Sequence, residues 1–131
     1  MSDFKKLKVW RKAHALALNV HRVAVRIRGS EYTALRAQML RASMSIPTNI
    51  VEGAGQQSGR EFGRFIRIAS NSASELEYHL LIAREIRAIT ANDFESLTAQ
   101  TIEVRRMLFG LLARVLSPNR TPPTEVGGVI N

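Results

Sequence analysis

The 131-residue sequence predicts an all-α protein, an antiparallel up-down four-helix bundle. Three observations carry that expectation. Apolar residues recur at spacings of three and four in four separate stretches, and the period-two alternation of strands is missing. Short segments holding helix-stop and helix-start residues join these stretches, which makes successive helices antiparallel neighbours. Hydrophobic residues make up 45% of the chain, enough for one packed core at this length.

The first helix is expected over about residues 8–28. Val9, Ala13, Leu16, Val20, Val23 and Ile27 make one continuous stripe, and Gly29-Ser30 ends it. The opposite face is basic, with Leu18 and Val25 interspersed. A second helix is expected over about 31–54, with Leu35, Met39, Ala42, Ile46 and Ile50 as its stripe and Ser30 as its cap. The third, over about 59–88, opens on Ser58-Gly59-Arg60-Glu61, which has the form of a capping box. Its stripe runs through Phe62, Ile66, Ala69, Ala73, Leu76, Leu80 and Ala83. The fourth, over about 93–116 with Asn92 or Asp93 as cap, repeats Phe94, Leu97, Thr101, Val104, Leu108, Leu111 and Val115.

That fourth helix carries a second stripe, Ile102, Phe109, Leu112 and Leu116. A helix with two apolar sides has more to bury than one bundle face. A contact with another subunit is expected there, the alternative being a deeply buried helix. Residues 1–117 thus read as one bundle. Residues 118–131 hold three of the four prolines and no periodicity, and read as a flexible tail.

The chain carries a net charge of +8, and its distribution is one-ended. Residues 1–51 hold ten Lys/Arg against two acids, whereas residues 52–131 hold nine of each. Such segregation suits a polyanion, nucleic acid before an anionic membrane; solubility alone is the other reading. There is no cysteine, which excludes disulfides and thiolate metal sites. No signal peptide and no bilayer-spanning run is seen, so a cytoplasmic protein without a membrane partner is expected.

The stretch RASMSIPTNIVEGAGQQSGREF, residues 41–62, offers a glycine-rich run beside Ser and Arg. No strand precedes it and no Gly-Lys-Ser/Thr follows, so neither a dinucleotide fingerprint nor a P-loop is present. It reads as the end of the second helix, bent at Pro47, and a turn in which Gly53 and Gly55 supply left-handed backbone. Ser43, Ser45, Thr48 and Asn49 stand ready to bond carbonyls freed by the proline. His14 and His21 sit about 10.5 Å apart along the helix, too far to share one ion, and neither metal nor cofactor is expected. Glu75 and Glu77 flank Leu76 and face different ways, and no nucleophile–base–acid set emerges. A non-enzymatic protein is therefore expected.

The basic residues form the best constellation. The first helix offers Lys8, Arg11, Lys12, Arg22 and Arg26, preceded by Lys5 and Lys6, and the third begins with Arg60, Arg64 and Arg67 at i, i+4, i+7. Cations near a helix N-terminus oppose its dipole, which asks for partner carboxylates such as Glu61 or for an external anion. Arginine suits phosphate because its planar fork donates two hydrogen bonds. These ten residues are the candidate nucleic-acid contacts; a solvated bundle face is the alternative.

Two segments also resemble a known family. FKKLKVWRKAHALALNVHRV and LRAQMLRASMSIPTNIVEGAGQQSGREFGRFIRIASNSASELEYHLLIA resemble the four-helix-bundle proteins encoded in 23S rRNA intervening sequences. That group is similar to the accessory variability determinant proteins of diversity-generating retroelements. The likeness covers about residues 4–87 through L-x-V-W, Q-x-x-R-A-x-x-S-I-P-x-N-I-x-E-G, EF-x-x-F and S-x-x-ELE-x-x-L. It implies a basic, barrel-shaped homopentamer and, for the retroelement branch, binding to a reverse transcriptase and to nucleic acid. It implies no catalytic residue. The matched positions, among them Trp10, Arg41, Asn49, Glu52 and Gly53, have a structural character, and Glu52, Glu75 and Glu77 are all candidate partners for Arg41. A protein-interaction scaffold, such as an accessory subunit of a retroelement reverse transcriptase, is the alternative function.

Overall fold

A computed structural model describes residues 3–118 of the chain. A 3-10 turn, Phe4–Lys6, leads into α1, Lys8–Ala24; α2 spans Thr33–Ala54, α3 Gly59–Glu85 and α4 Ala91–Leu116. No strand occurs among the described residues, and the fold is the expected all-α bundle. The tail expected over 118–131 lies, from residue 119 onward, outside the described residues.

Cross-helix partners fix the directions. Lys12, Asn19 and Arg26 of α1 meet Glu103, Gln100 and Asp93 of α4, so the partner numbers fall as α1 rises. Arg41 and Ser45 of α2 meet Glu75 and Ser72 of α3 in the same inverted order. Glu77 of α3 meets Arg105 of α4, and Gly63 lies against Leu112 and Leu116. Each pair is antiparallel. Each helix packs on its sequence neighbours and α4 closes on α1, which leaves α1 diagonal to α3 and α2 diagonal to α4.

The core follows the periodicity. Leu16, Met39, Ile46, Ile50, Ile66, Leu76, Leu80, Leu108 and Leu111 are all fully enclosed. Between them sit Ala13, Ala42, Ala69, Ala73 and Ala83, also enclosed, and such small residues let helix axes approach toward the lower end of the usual ~8–10 Å. Thr101 donates to the Leu97 carbonyl at 2.7 Å, and the Ser45 and Ser72 hydroxyls lie 2.7 Å apart across α2 and α3, whereas the buried hydroxyls of Ser70 and Thr98 have no protein partner among the described residues.

Helix ends differ from the sequence expectations in instructive ways. The Ser58 hydroxyl accepts from the Glu61 N–H at 3.1 Å, as its pattern predicts. At α4 the cap is Thr90, whose hydroxyl accepts from the Asp93 N–H at 3.0 Å; Asp93 lies inside the first turn rather than capping it. Ser30 opens a 3-10 turn, Ser30–Tyr32, instead of capping α2, which starts at Thr33. α1 stops at Ala24, because Arg26 and Ile27 bond back only three residues, to Val23 and Ala24. The Arg36 guanidinium then donates to the free carbonyls of Ile27 at 2.8 Å and Gly29 at 3.0 Å.

The glycine expectation is corrected. Gly55 has φ −85° and Gly53 is helical; the glycine in left-handed space is Gly29, at φ 111°. Gly53 is needed for space instead, since a Cβ there would lie 2.8 Å from the Phe62 ring and 3.0 Å from Phe65 Cβ. The left-handed residue after α3 is Arg87, φ 63°, which follows the C-cap Ile86. There the Ala88 N–H reaches the Ala83 carbonyl at 2.8 Å and the Arg87 N–H reaches Arg84, a Schellman closure made without glycine. α2 passes through buried Pro47 as one helix, while Thr48 and Asn49 donate to the carbonyls of Met44 and Ser45, each at 2.8 Å.

Candidate nucleic-acid interface

The ten candidate cations divide by what they touch. Lys12 pairs with Glu103 at 3.7 Å and Arg26 with Asp93 at 2.9 Å, both across the α1–α4 seam. Arg22 donates to Asn19, which itself donates to Gln100 of α4 at 2.9 Å. Arg11 donates to the carbonyls of Lys5 at 3.1 Å and Lys6 at 3.0 Å, tying the Phe4–Lys6 turn to α1. Much of the basic face of α1 is therefore engaged within the fold, and these contacts explain part of the charge segregation without an external anion.

The arginines of α3 are placed otherwise. Arg60, Arg64 and Arg67 are all exposed on the outward face, directly opposite the core stripe. Arg64 pairs with Glu61 at 3.3 Å, and its guanidinium lies 4.4 Å over the Phe65 ring, which orients it. Among the described residues no ion pair engages Arg60 or Arg67. The same face continues through Asn71, Ser74 and Tyr78, all exposed, at the same spacing of three and four. Sequence reasoning stopped at the last arginine; the continuing period was the available signal.

Because α1 and α3 are diagonal, their outward faces point to opposite sides of one bundle. The structure does not bring the two basic stripes into one surface. It does place their N-terminal halves at the same end, since α1 and α3 both run antiparallel to α4. Lys5 and Lys6 are exposed at that end, and Lys8 is half-buried. An aromatic ladder stands beside them: Phe4 meets Trp10 edge-on at 4.9 Å, and His14 stacks on Trp10 at 4.8 Å.

The second stripe of α4 is mixed. Phe109 is 55% and Leu116 42% exposed, values large enough to mark an uncovered apolar strip. Leu112 is half-buried and packs against the core, and Ile102 is half-buried in a shallow depression with Ala99, Arg106 and Met107. A separate depression between α3 and α4 is lined by Ser74, Tyr78 and Leu81 on one side and Phe94 and Thr98 on the other. Acidic groups are spent in structure: Glu75 takes Arg41, one of its three candidate pairings, and Glu77 takes Arg105. Among the described residues no group of three or more His, Cys, Asp or Glu could hold a metal ion, and no helix is long and apolar enough to cross a membrane.

Comparison with known proteins agrees with this architecture. A family model described as 23S rRNA-intervening sequence protein matches residues 5–110. Among solved structures, the chain is similar to a protein of unknown function from the S23 ribosomal protein family of Bacteroides thetaiotaomicron. That likeness has a TM-score of 0.73 at 26% identity, covering 79% of this chain and 97% of the other. No curated protein matches.

Proposed function

The chain belongs to the 23S rRNA-intervening sequence protein family, and we propose that it is a non-enzymatic, oligomeric bundle that binds nucleic acid through its basic surface. The observation that carries this is the exposed row Arg60, Arg64 and Arg67, cations kept together on one face with one acid beside them. Grouping like charges on a surface raises the energy of the free protein, and a phosphate backbone relieves that repulsion while releasing counterions. Binding of this kind fixes position without reading sequence.

Salt titration tests the reading. The logarithm of the affinity for a labelled RNA should fall linearly with log salt, with a slope of about 0.7 for each phosphate contacted on a single strand. Absence of binding at low salt, or affinity indifferent to salt, overturns it. Assembly is the second half of the proposal. Phe109 and Leu116 would be covered by other copies of the chain, and five copies is the number the family resemblance implies. Light scattering should give a mass of several chains, and Phe109→Glu should reduce it toward one; a wild-type monomer at micromolar concentration removes the oligomer. The same strip favours a second reading, a scaffold that docks a protein such as a retroelement reverse transcriptase. Co-purification with a nuclease-resistant protein partner and no nucleic acid would select it.

A further inference from the structure

We infer that the outward face of α3 is a nucleic-acid contact, that it takes single-stranded nucleic acid, and that the basic residues along the α1–α4 seam hold the bundle together instead. The inference rests on the nucleic-acid reading above and divides its candidate residues.

Three observations lead to it. First, the two basic stripes lie on diagonal helices, so one strand lying straight along one stripe leaves the other on the far side of the bundle. Second, the α1 cations nearest α4 already have partners: Glu103 for Lys12, Asp93 for Arg26 and Asn19 for Arg22. Freeing Lys12 or Arg26 for phosphate would break a link to α4, and freeing Arg22 would release the Asn19 side chain that donates to Gln100. Third, the α3 face has the parts a single-strand surface needs, in order along one line. Arg60, Arg64 and Arg67 supply cations at steps of ~6 and ~4.5 Å by the helical rise. Asn71 and Ser74 offer neutral hydrogen-bonding groups. Tyr78 ends the row ~27 Å from Arg60 by the same rise; the residue is 57% exposed and offers an aromatic face on which an unpaired base can stack.

A duplex would use the cations and leave Tyr78 idle, because its bases are already stacked. An unpaired strand can use both. That difference commits the face to single strands, with affinity from phosphates and a sequence-tolerant gain from stacking.

The test measures fluorescence anisotropy of a labelled oligouridine and of a duplex RNA of equal length, over a salt series. Arg60→Gln/Arg64→Gln/Arg67→Gln should lower the log–log salt slope for oligouridine by about 2, three phosphates at ~0.7 each. Tyr78→Ala should weaken oligouridine binding by about tenfold with the slope unchanged, and leave the duplex untouched. Lys12→Gln/Arg26→Gln should lower the thermal midpoint and leave binding at wild-type strength. All the substituted side chains are exposed, and circular dichroism confirms that each variant keeps its helices. If wild-type protein binds but the α3 triple variant keeps its affinity and slope, the face is wrong and the nucleic-acid reading stands. Equal weakening of duplex and oligouridine by Tyr78→Ala overturns the single-strand assignment. If the wild type binds neither RNA, both the reading and this inference fall.

Discussion

Leu16→Ala is expected to lower the unfolding free energy by about 2–5 kcal/mol, whereas Leu18→Ala, two residues along, should change it by no more than about 0.5. The chemistry of the two substitutions is identical, so the difference measures environment. Leu16 is 0% exposed within the core cluster; Leu18 is 45% exposed on the outward face of α1. Removing Leu16 forfeits transfer of its side chain from water and leaves a cavity that the flanking helices, held by the rest of the core, close only in part. Removing Leu18 changes area that water already reaches. A domain of this size has ~5–15 kcal/mol in total, so the first substitution takes a large share and the second almost none. Urea unfolding at fixed protein concentration reads both, and the slopes with denaturant should agree. Similar midpoints for the two variants would mean that α1 is not seated as described.

Gly59→Ala is expected to destabilise the protein while Gly110→Ala stabilises it. Gly59 opens α3 directly against the backbone carbonyl of Val115 near the end of α4, and a Cβ there would occupy the same space as that oxygen. One turn on, a Cβ at Gly63 would meet Leu116 at 3.1 Å and Leu112 at 3.3 Å. The two glycines let α3 and α4 close on each other at this end of the bundle. Backbone cannot turn aside as a side chain can, so the helices must part, at a cost at or above the usual ~1–3 kcal/mol of overpacking. Gly110 lies in α4 with nothing within 4 Å of its would-be Cβ. There alanine gains helix propensity, roughly 0.5–1 kcal/mol, with nothing to displace. Opposite signs from one substitution type are the expected result; the same sign for both removes the close approach of α3 to α4.

The core stripes of the four helices were legible before any coordinates. Val9, Leu16, Val20, Ile46, Ile66, Leu80, Leu108 and Leu111 all fall where the 3.6-residue period puts them, because the period belongs to a single helix's backbone. The Ser58 cap was legible for the same reason, since its donor is three residues away. Thr90 was missed because Asn92 and Asp93 are equally good cap residues by type, and only the helix start chooses among them. Gly53 and Gly55 differ from the sequence expectation in kind: the usual use of glycine is left-handed backbone, but Gly53 is there for a neighbour, Phe62, and Gly59 for another, Val115, that no local rule names.

Periodicity and composition alone establish a helical bundle, the residues of each helix that turn inward, and an excess of positive charge concentrated in the first two-fifths of the chain. Tertiary structure decided how that charge is used. It chose Glu75 for Arg41, spent Lys12 and Arg26 on α4, and left the arginines of α3 facing outward on the opposite side from α1. The physical reason is range. Periodicity and capping act within one turn or two of one helix, whereas an ion pair between helices depends on the order of helices around the bundle and on their register, quantities fixed only when the whole core packs.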